Sequence, residues 1–195
     1  MEGVIGIDGL ARWSWKDGNM NDVAQLVEEA GFSDFRWTTG ADVVVAQWVR
    51  LKCTYACDSF GTQACCPPNV PSVVECRDFF RDYQRVLAIH IEKSGDSPQG
   101  LHRWKRETNT KLLELERDVF LAGFHKVMVL FPGDCSLCPQ CVPGPEDCRH
   151  RGSVRPTPEA LAVDVFATVR RLGYPIEVLT DRSQIMNRYA LLLVE

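Results

Sequence analysis

Nine cysteines fall in two groups, five between Cys53 and Cys76 and four between Cys135 and Cys148. Reduced thiols gathered so closely are metal ligands by chemistry, because a thiolate is a strong, soft donor. The second group reads Cys135-Ser136-Leu137-Cys138-Pro139-Gln140-Cys141, a C-x2-C-x2-C run, and Cys148 follows after six intervening residues. Three thiolates at that spacing can wrap three corners of a cubane while backbone amides face its sulfides, as in bacterial ferredoxins. A ferredoxin's fourth cysteine follows sooner and precedes proline, whereas here Arg149 follows Cys148. Zinc is the alternative cofactor, but its four-thiolate sites usually pair two C-x2-C knuckles across a longer span. The spacing therefore favours a [4Fe–4S] cluster on Cys135, Cys138, Cys141 and Cys148.

The first group is looser: Cys53-x3-Cys57, then Cys65-Cys66-Pro67-Pro68, then Cys76. Neighbouring side chains diverge, so Cys65 and Cys66 are not both expected on one cluster. Cys66 is the better ligand because the following proline exposes it at a turn. Cys76 falls on a predicted helix, where a free cysteine is a ligand or simply a small core hydrophobe. If Cys53, Cys57 and Cys66 act alone, one iron lacks a protein thiolate and is open to substrate. In the other arrangement Cys66 completes the site of Cys135, Cys138 and Cys141. A radical-SAM site is not matched, since the third cysteine position of that motif is Phe60.

Arg149, Arg151 and Arg155 lie beside the second group with His150. They are read as cofactor-side cations that offset thiolate charge, or that dock a small anionic substrate or an acidic redox partner protein. The plainer reading is a solvated turn. A site with four thiolates needs no imidazole, so His150 is not taken as a ligand, and His90 in a predicted buried strand reads as a satisfied core residue. The five tryptophans avoid the basic stretch, which suits packing rather than base stacking. Neither a phosphate-cradling glycine loop, a nucleophile elbow nor a dinucleotide fingerprint occurs, so any chemistry should sit at a cluster.

The cysteine groups must be positioned by ordered elements. A helix is expected over 19–31, stopped by Gly31, and a β-branched strand over 43–51 running directly into Cys53. The cysteine stretch 53–72 reads as a loop, followed by a helix over 72–83 capped by Ser72. A strand over 85–92, a long helix over 101–122 and a strand over 126–131 lead to Pro132-Gly133 and Cys135. Thr157-Pro158-Glu159 should start a helix whose apolar face is Leu161, Val165, Val169 and Leu172. Strands at Ile176–Leu179 and Tyr189–Val194 close the chain. The last two strands lack a helix between them, so the expected fold is α+β, a mixed sheet packed with helices, with two cysteine loops at 53–76 and 135–150.

The 195 residues suit one domain, 1–195, and 45% hydrophobic content is enough for a core. A net charge of −4 argues against a nucleic-acid partner. No apolar run is long enough for a membrane span, and the start Met1-Glu2-Gly3-Val4 carries no export signal, so a cytoplasmic location is expected. In that compartment, an odd cysteine count points away from disulfides and towards metal.

The chain also resembles a family of uncharacterised proteins described as predicted metal-binding proteins. The resemblance runs from about Val49 to the C-terminus. It rests on Val49-Arg50-Leu51-Lys52-Cys53, Cys66-Pro67-Pro68, Gly133-Asp134-Cys135-Ser136-Leu137-Cys138, Cys148-Arg149-His150 and Arg155-Pro156-Thr157-Pro158-Glu159-Ala160. The family often continues its Cys-Arg-His with proline, where this chain has Arg151. The resemblance implies metal binding and supplies no reaction. Three functions follow in order of expectation: a protein of one or two [4Fe–4S] clusters in electron transfer or an accessory redox role; an enzyme with an open cluster iron, acting in sulfur transfer, dehydration or reductive activation; or a zinc-stabilised interaction module.

Overall fold

The structure is a computed structural model that describes residues 19–95, 97–181 and 183–195. The expectations placed on the first residues, the missing export signal and the packing of Trp13 and Trp15, lie outside the described residues.

Two long hydrophobic strands make the centre of the fold. β2 (Val86–Lys93) and β4 (Met186–Leu193) pair antiparallel along their whole length, from Val86 opposite Leu193 to Lys93 opposite Met186. Their apolar runs are continuous rather than alternating, as expected of strands covered on both faces. β1 (Phe35–Thr38) flanks β2, and β3 (Met128–Leu130) flanks β4, giving the order β1-β2-β4-β3. The α+β class holds, but every pairing is antiparallel, so the sheet is not mixed.

Helices cover both faces. On one, Val86, Ala88, Leu191 and Leu193 meet Cys76 and Phe80 of α3 (Val73–Arg81) and Val169 of α5 (Val165–Arg171). On the other, Leu87, Ile89 and Leu192 meet Val23 and Val27 of α1 (Met20–Glu29) and Leu112, Leu115 and Val119 of α4 (Pro98–Leu121). α1 ends at Gly31, whose φ of 86° is left-handed and suits glycine. α3 begins as expected at Ser72, in a full capping box: Ser72 Oγ accepts from the Glu75 amide, and Glu75 accepts from the Ser72 amide at 2.7 Å. Ser72→Ala should therefore lower unfolding stability by about 1 kcal/mol in urea titration; a change near zero would mean that the cap contributes nothing.

Three expected elements are replaced. The strand over 43–51 does not form. Only Val45 makes a bridge, to Val163, and from Gln47 the chain becomes α2 (Gln47–Ala56). The β-branched run ends at Val45, and Gln47, Arg50, Leu51 and Lys52 are good helix formers, so the helix takes over and Cys53 sits on it rather than after a strand. The helix expected from Thr157 splits. Thr157 Oγ1 does accept from the Ala160 amide at 3.1 Å, but Ala162 then adopts φ 61°. Asp164 restarts the helix as α5 by accepting from the Ala167 amide at 2.9 Å. Finally, Ile176–Leu179 is irregular: Ile176 is buried, but Val178 is 78% exposed and the segment joins no strand. β1 was not anticipated; at four residues it is too short to show a pattern.

Candidate metal centre

The ends of β3 and α2 bring the two cysteine groups together. β3 hands the chain to Pro132, Gly133 and Cys135, and the excursion returns at Pro156, whose carbonyl accepts from the Phe131 amide at 3.0 Å. Arg155 and Glu116 close the same neck. Arg155 Nε donates to Glu116 at 3.0 and 3.2 Å and Nη2 donates at 2.5 Å, while Glu116 also accepts from the Val129 amide at 2.6 Å. Both side chains are largely buried, 19% and 12% exposed. Arg155 is thus occupied by the neck and by the carbonyls of Gly152 and Val154. Arg149 and Arg151 are solvent-exposed, and the Arg149 charge is felt at Cys138.

The other group starts on α2. Cys53 lies in its last turn with Sγ 3.9 Å from the Glu159 carbonyl, and Cys57 caps the helix end. The loop then folds on itself through Gly61, whose amide donates to the Pro67 carbonyl at 2.9 Å. Asn69 ties it across to the second loop by donating to the Pro143 carbonyl at 2.5 Å.

Cys53, Cys57 and Cys66 line one pocket of about 240 Å³ with Gly133, Asp134, Glu159 and Arg188. Among the described residues no fourth thiol lines it. One water of the liquid takes about 30 Å³, so there is space for a group of many atoms. Burial pushes the Cys53 thiol up, and the neighbouring Cys57 and Cys66 push it further. That mutual repulsion between thiolates is what a bound metal cation relieves. Glu159 is solvent-accessible within this concavity, yet the surrounding protein desolvates its carboxyl and raises its pKa, against the opposing pull of Thr157 and Arg188.

The two groups meet at Cys65. Its thiol is buried and close to both Cys66 and Cys135, and it is pushed strongly up, first by these neighbours and then by burial. The neighbouring Cys65 lowers Cys66, and it brings Cys135 down to about 7 despite burial. Cys66 is thus the member of the adjacent pair that is lowered, and its Sγ also lies 3.8 Å from Gln63 Oε1. In the second group, Cys138 is raised by burial and then by Cys135, Cys141 and Cys148, which places all four thiols within electrostatic reach. Among the described residues no three His, Cys, Asp or Glu side chains are already closed into a coordination shell. The donor set nevertheless suits a soft, thiophilic metal: three thiols line one pocket and four more lie within electrostatic reach of one another.

Residues 36–194 match the family described as predicted metal-binding protein, DUF2284. The chain belongs to this family. The match begins within β1, earlier than the Val49 start of the sequence resemblance, so the DUF2284 region takes in all of the sheet but Phe35 along with both cysteine groups. No curated protein and no solved structure matches the chain. No helix among the described residues of this DUF2284 member is long and apolar enough to cross a membrane.

The remaining residues singled out by the sequence lie elsewhere. Cys76 is 1% exposed and belongs to the core cluster of Phe80 and Val86, with its Sγ also 3.5 Å from the Pro71 carbonyl and 4.0 Å from Arg50. His90 is a satisfied core histidine, its ring nitrogens 2.6 Å from Asp34 and 2.7 Å from Asn187. His150 is exposed. Sequence reasoning missed Arg188 and saw Glu159 only as a helix-start acid. The available signal for Arg188 was a cation placed immediately before the apolar run Tyr189–Val194.

Proposed function

We propose that this is an iron–sulfur redox protein with two centres side by side. Cys135, Cys138, Cys141 and Cys148 hold an electron-relay [4Fe–4S] cluster. Cys53, Cys57 and Cys66 hold a second cluster with one iron open to substrate. The observation that carries this reading is the pocket lined by three thiols together with Glu159 and Arg188, with no fourth thiol among the described residues. Such a cluster supplies one-electron chemistry and an open Lewis-acidic iron when bound. The chain's own residues do the rest. Asn69 docks one loop on the other, Cys65 sits between the two thiol sets, and the Glu116–Arg155 neck fixes the second loop to α4 and β3. The reading requires reduced thiols, hence a reducing compartment such as the cytoplasm, and a redox partner protein that meets the exposed Arg149 and Arg151.

A relay on Cys135, Cys138, Cys141 and Cys148 would need no second set of three thiols lining a pocket, which is why the open-iron enzyme is preferred to a simple electron carrier. Controlled oxidation of anaerobically purified protein tests the distinction. A cubane held by only three thiolates sheds its unliganded iron and leaves a three-iron cluster with a sharp EPR signal near g = 2. That signal is expected, in an amount matching one centre per chain. Two clusters that both survive oxidation intact would contradict the open site.

A further inference from the structure

We infer that the pocket of Cys53, Cys57 and Cys66 takes a small carboxylate substrate, anchored by Arg188. The inference rests on the reading of these cysteines as a cluster site and adds the chemical class of what binds there.

Arg188 lies on β4, opposite Ile91 of β2. On its other side, β3 pairs Met128 with Leu193 and Leu130 with Leu191. Continuing that register sets Gly133 beside Arg188, and Gly133, Asp134 and Arg188 do line the pocket together. The backbone therefore places a guanidinium against the wall that faces the thiols.

Arg188 makes one weak hydrogen bond among the described residues. Among the described residues it has no carboxylate within ion-pair distance, and its hydrogen-bond partner is the Met186 thioether at 3.6 Å, a weak acceptor. Asp134, a carboxylate in the same pocket, is taken by Lys105 Nζ at 2.5 Å. Glu159, the other one, is within electrostatic reach of Arg188 without forming an ion pair. A half-buried guanidinium with free donors in a concave site is completed by an anion, and its planar fork matches a carboxylate with two parallel hydrogen bonds. The pocket, about 240 Å³, suits a small ligand. The exposed Cys57 marks its open side. Arg149 and Arg151 lie on the other loop and do not line this pocket.

Oxalate is the probe, because one carboxylate can meet Arg188 while the other reaches an open iron. It is titrated into the full chain, reconstituted with iron and sulfide without oxygen, with the reduced EPR spectrum and calorimetric affinity as readouts. Oxalate is expected to shift the spectrum of one centre. R188M should keep its iron and its circular dichroism but bind oxalate at least tenfold more weakly. R188K, which keeps the charge and loses the fork, should lose less, and it also serves if the methionine variant does not fold. An unchanged spectrum and no oxalate binding at full iron content would overturn the carboxylate assignment while leaving the cluster reading intact, as would equal affinity in wild type and variants. Failure of Cys53, Cys57 and Cys66 to retain iron would overturn both, and the iron count separates the two failures.

Discussion

Replacing Cys53, Cys57 and Cys66 together with serine is expected to halve the iron of anaerobically purified protein, from about eight to about four per chain. The three side chains share one pocket, so their loss should empty one centre without touching Cys135, Cys138, Cys141 and Cys148 on the other loop. The surviving absorption and EPR signal should be those of a single cubane that resists oxidation. Cys65→Ser is the matched control. Cys65 is buried and does not line the pocket of Cys53, Cys57 and Cys66, so serine should keep most of the iron and chiefly alter the cluster potentials. Unchanged iron in the triple variant would remove the first group from the site altogether. Loss of all iron would mean instead that the groups build one shared centre, the arrangement in which Cys66 completes the second set.

Breaking the neck of the second loop should have the largest effect on stability. Glu116→Ala or Arg155→Ala leaves one charge of a largely buried pair without its partner, which costs about 3–5 kcal/mol. Glu116 carries the Val129 amide as well, so its removal also strips an acceptor from β3 just before the chain enters the loop. The double variant Glu116→Leu with Arg155→Met, apolar at both positions and of similar length, should recover much of the loss, because no buried charge then remains. Urea titration of the two single variants and the double variant measures this. Single losses below about 1 kcal/mol would put the pair in the class of exposed salt bridges. The single variants should also hold iron less well on the second loop, since the Phe131–Pro156 hydrogen bond would be left to clasp its base.

Much of this architecture could be read from residue patterns. α3 with Ser72, α4 and the central strands carry strong local signals: a cap, a helical stripe, and continuous β-branched and leucine runs. What could not be read depended on partners distant in sequence. Val43–Val45 is extended because Val44 and Ala46 pair with the turn before α5, through Asp164 donating to Val44 and Ala46 donating to Ala162. That pairing ends where helix-forming residues begin, so a strand prediction over the whole segment overshot. The antiparallel order β1-β2-β4-β3 follows from long connections whose direction no local signal encodes. Of the candidate site, the two cysteine groups were legible from their clustering and spacing. Their meeting through Cys65 was not, because it depends on Asn69 docking one loop against the carbonyl of Pro143 in the other. Nor was the occupation of Arg155, whose partner Glu116 sits 39 residues earlier on α4.

The most direct measurement is iron and acid-labile sulfide per chain, on protein purified without oxygen, alongside zinc. About eight irons with about eight sulfides are expected, one cubane for each thiol set. Stoichiometric zinc without sulfide would contradict the redox reading and leave the thiols as a structural clasp.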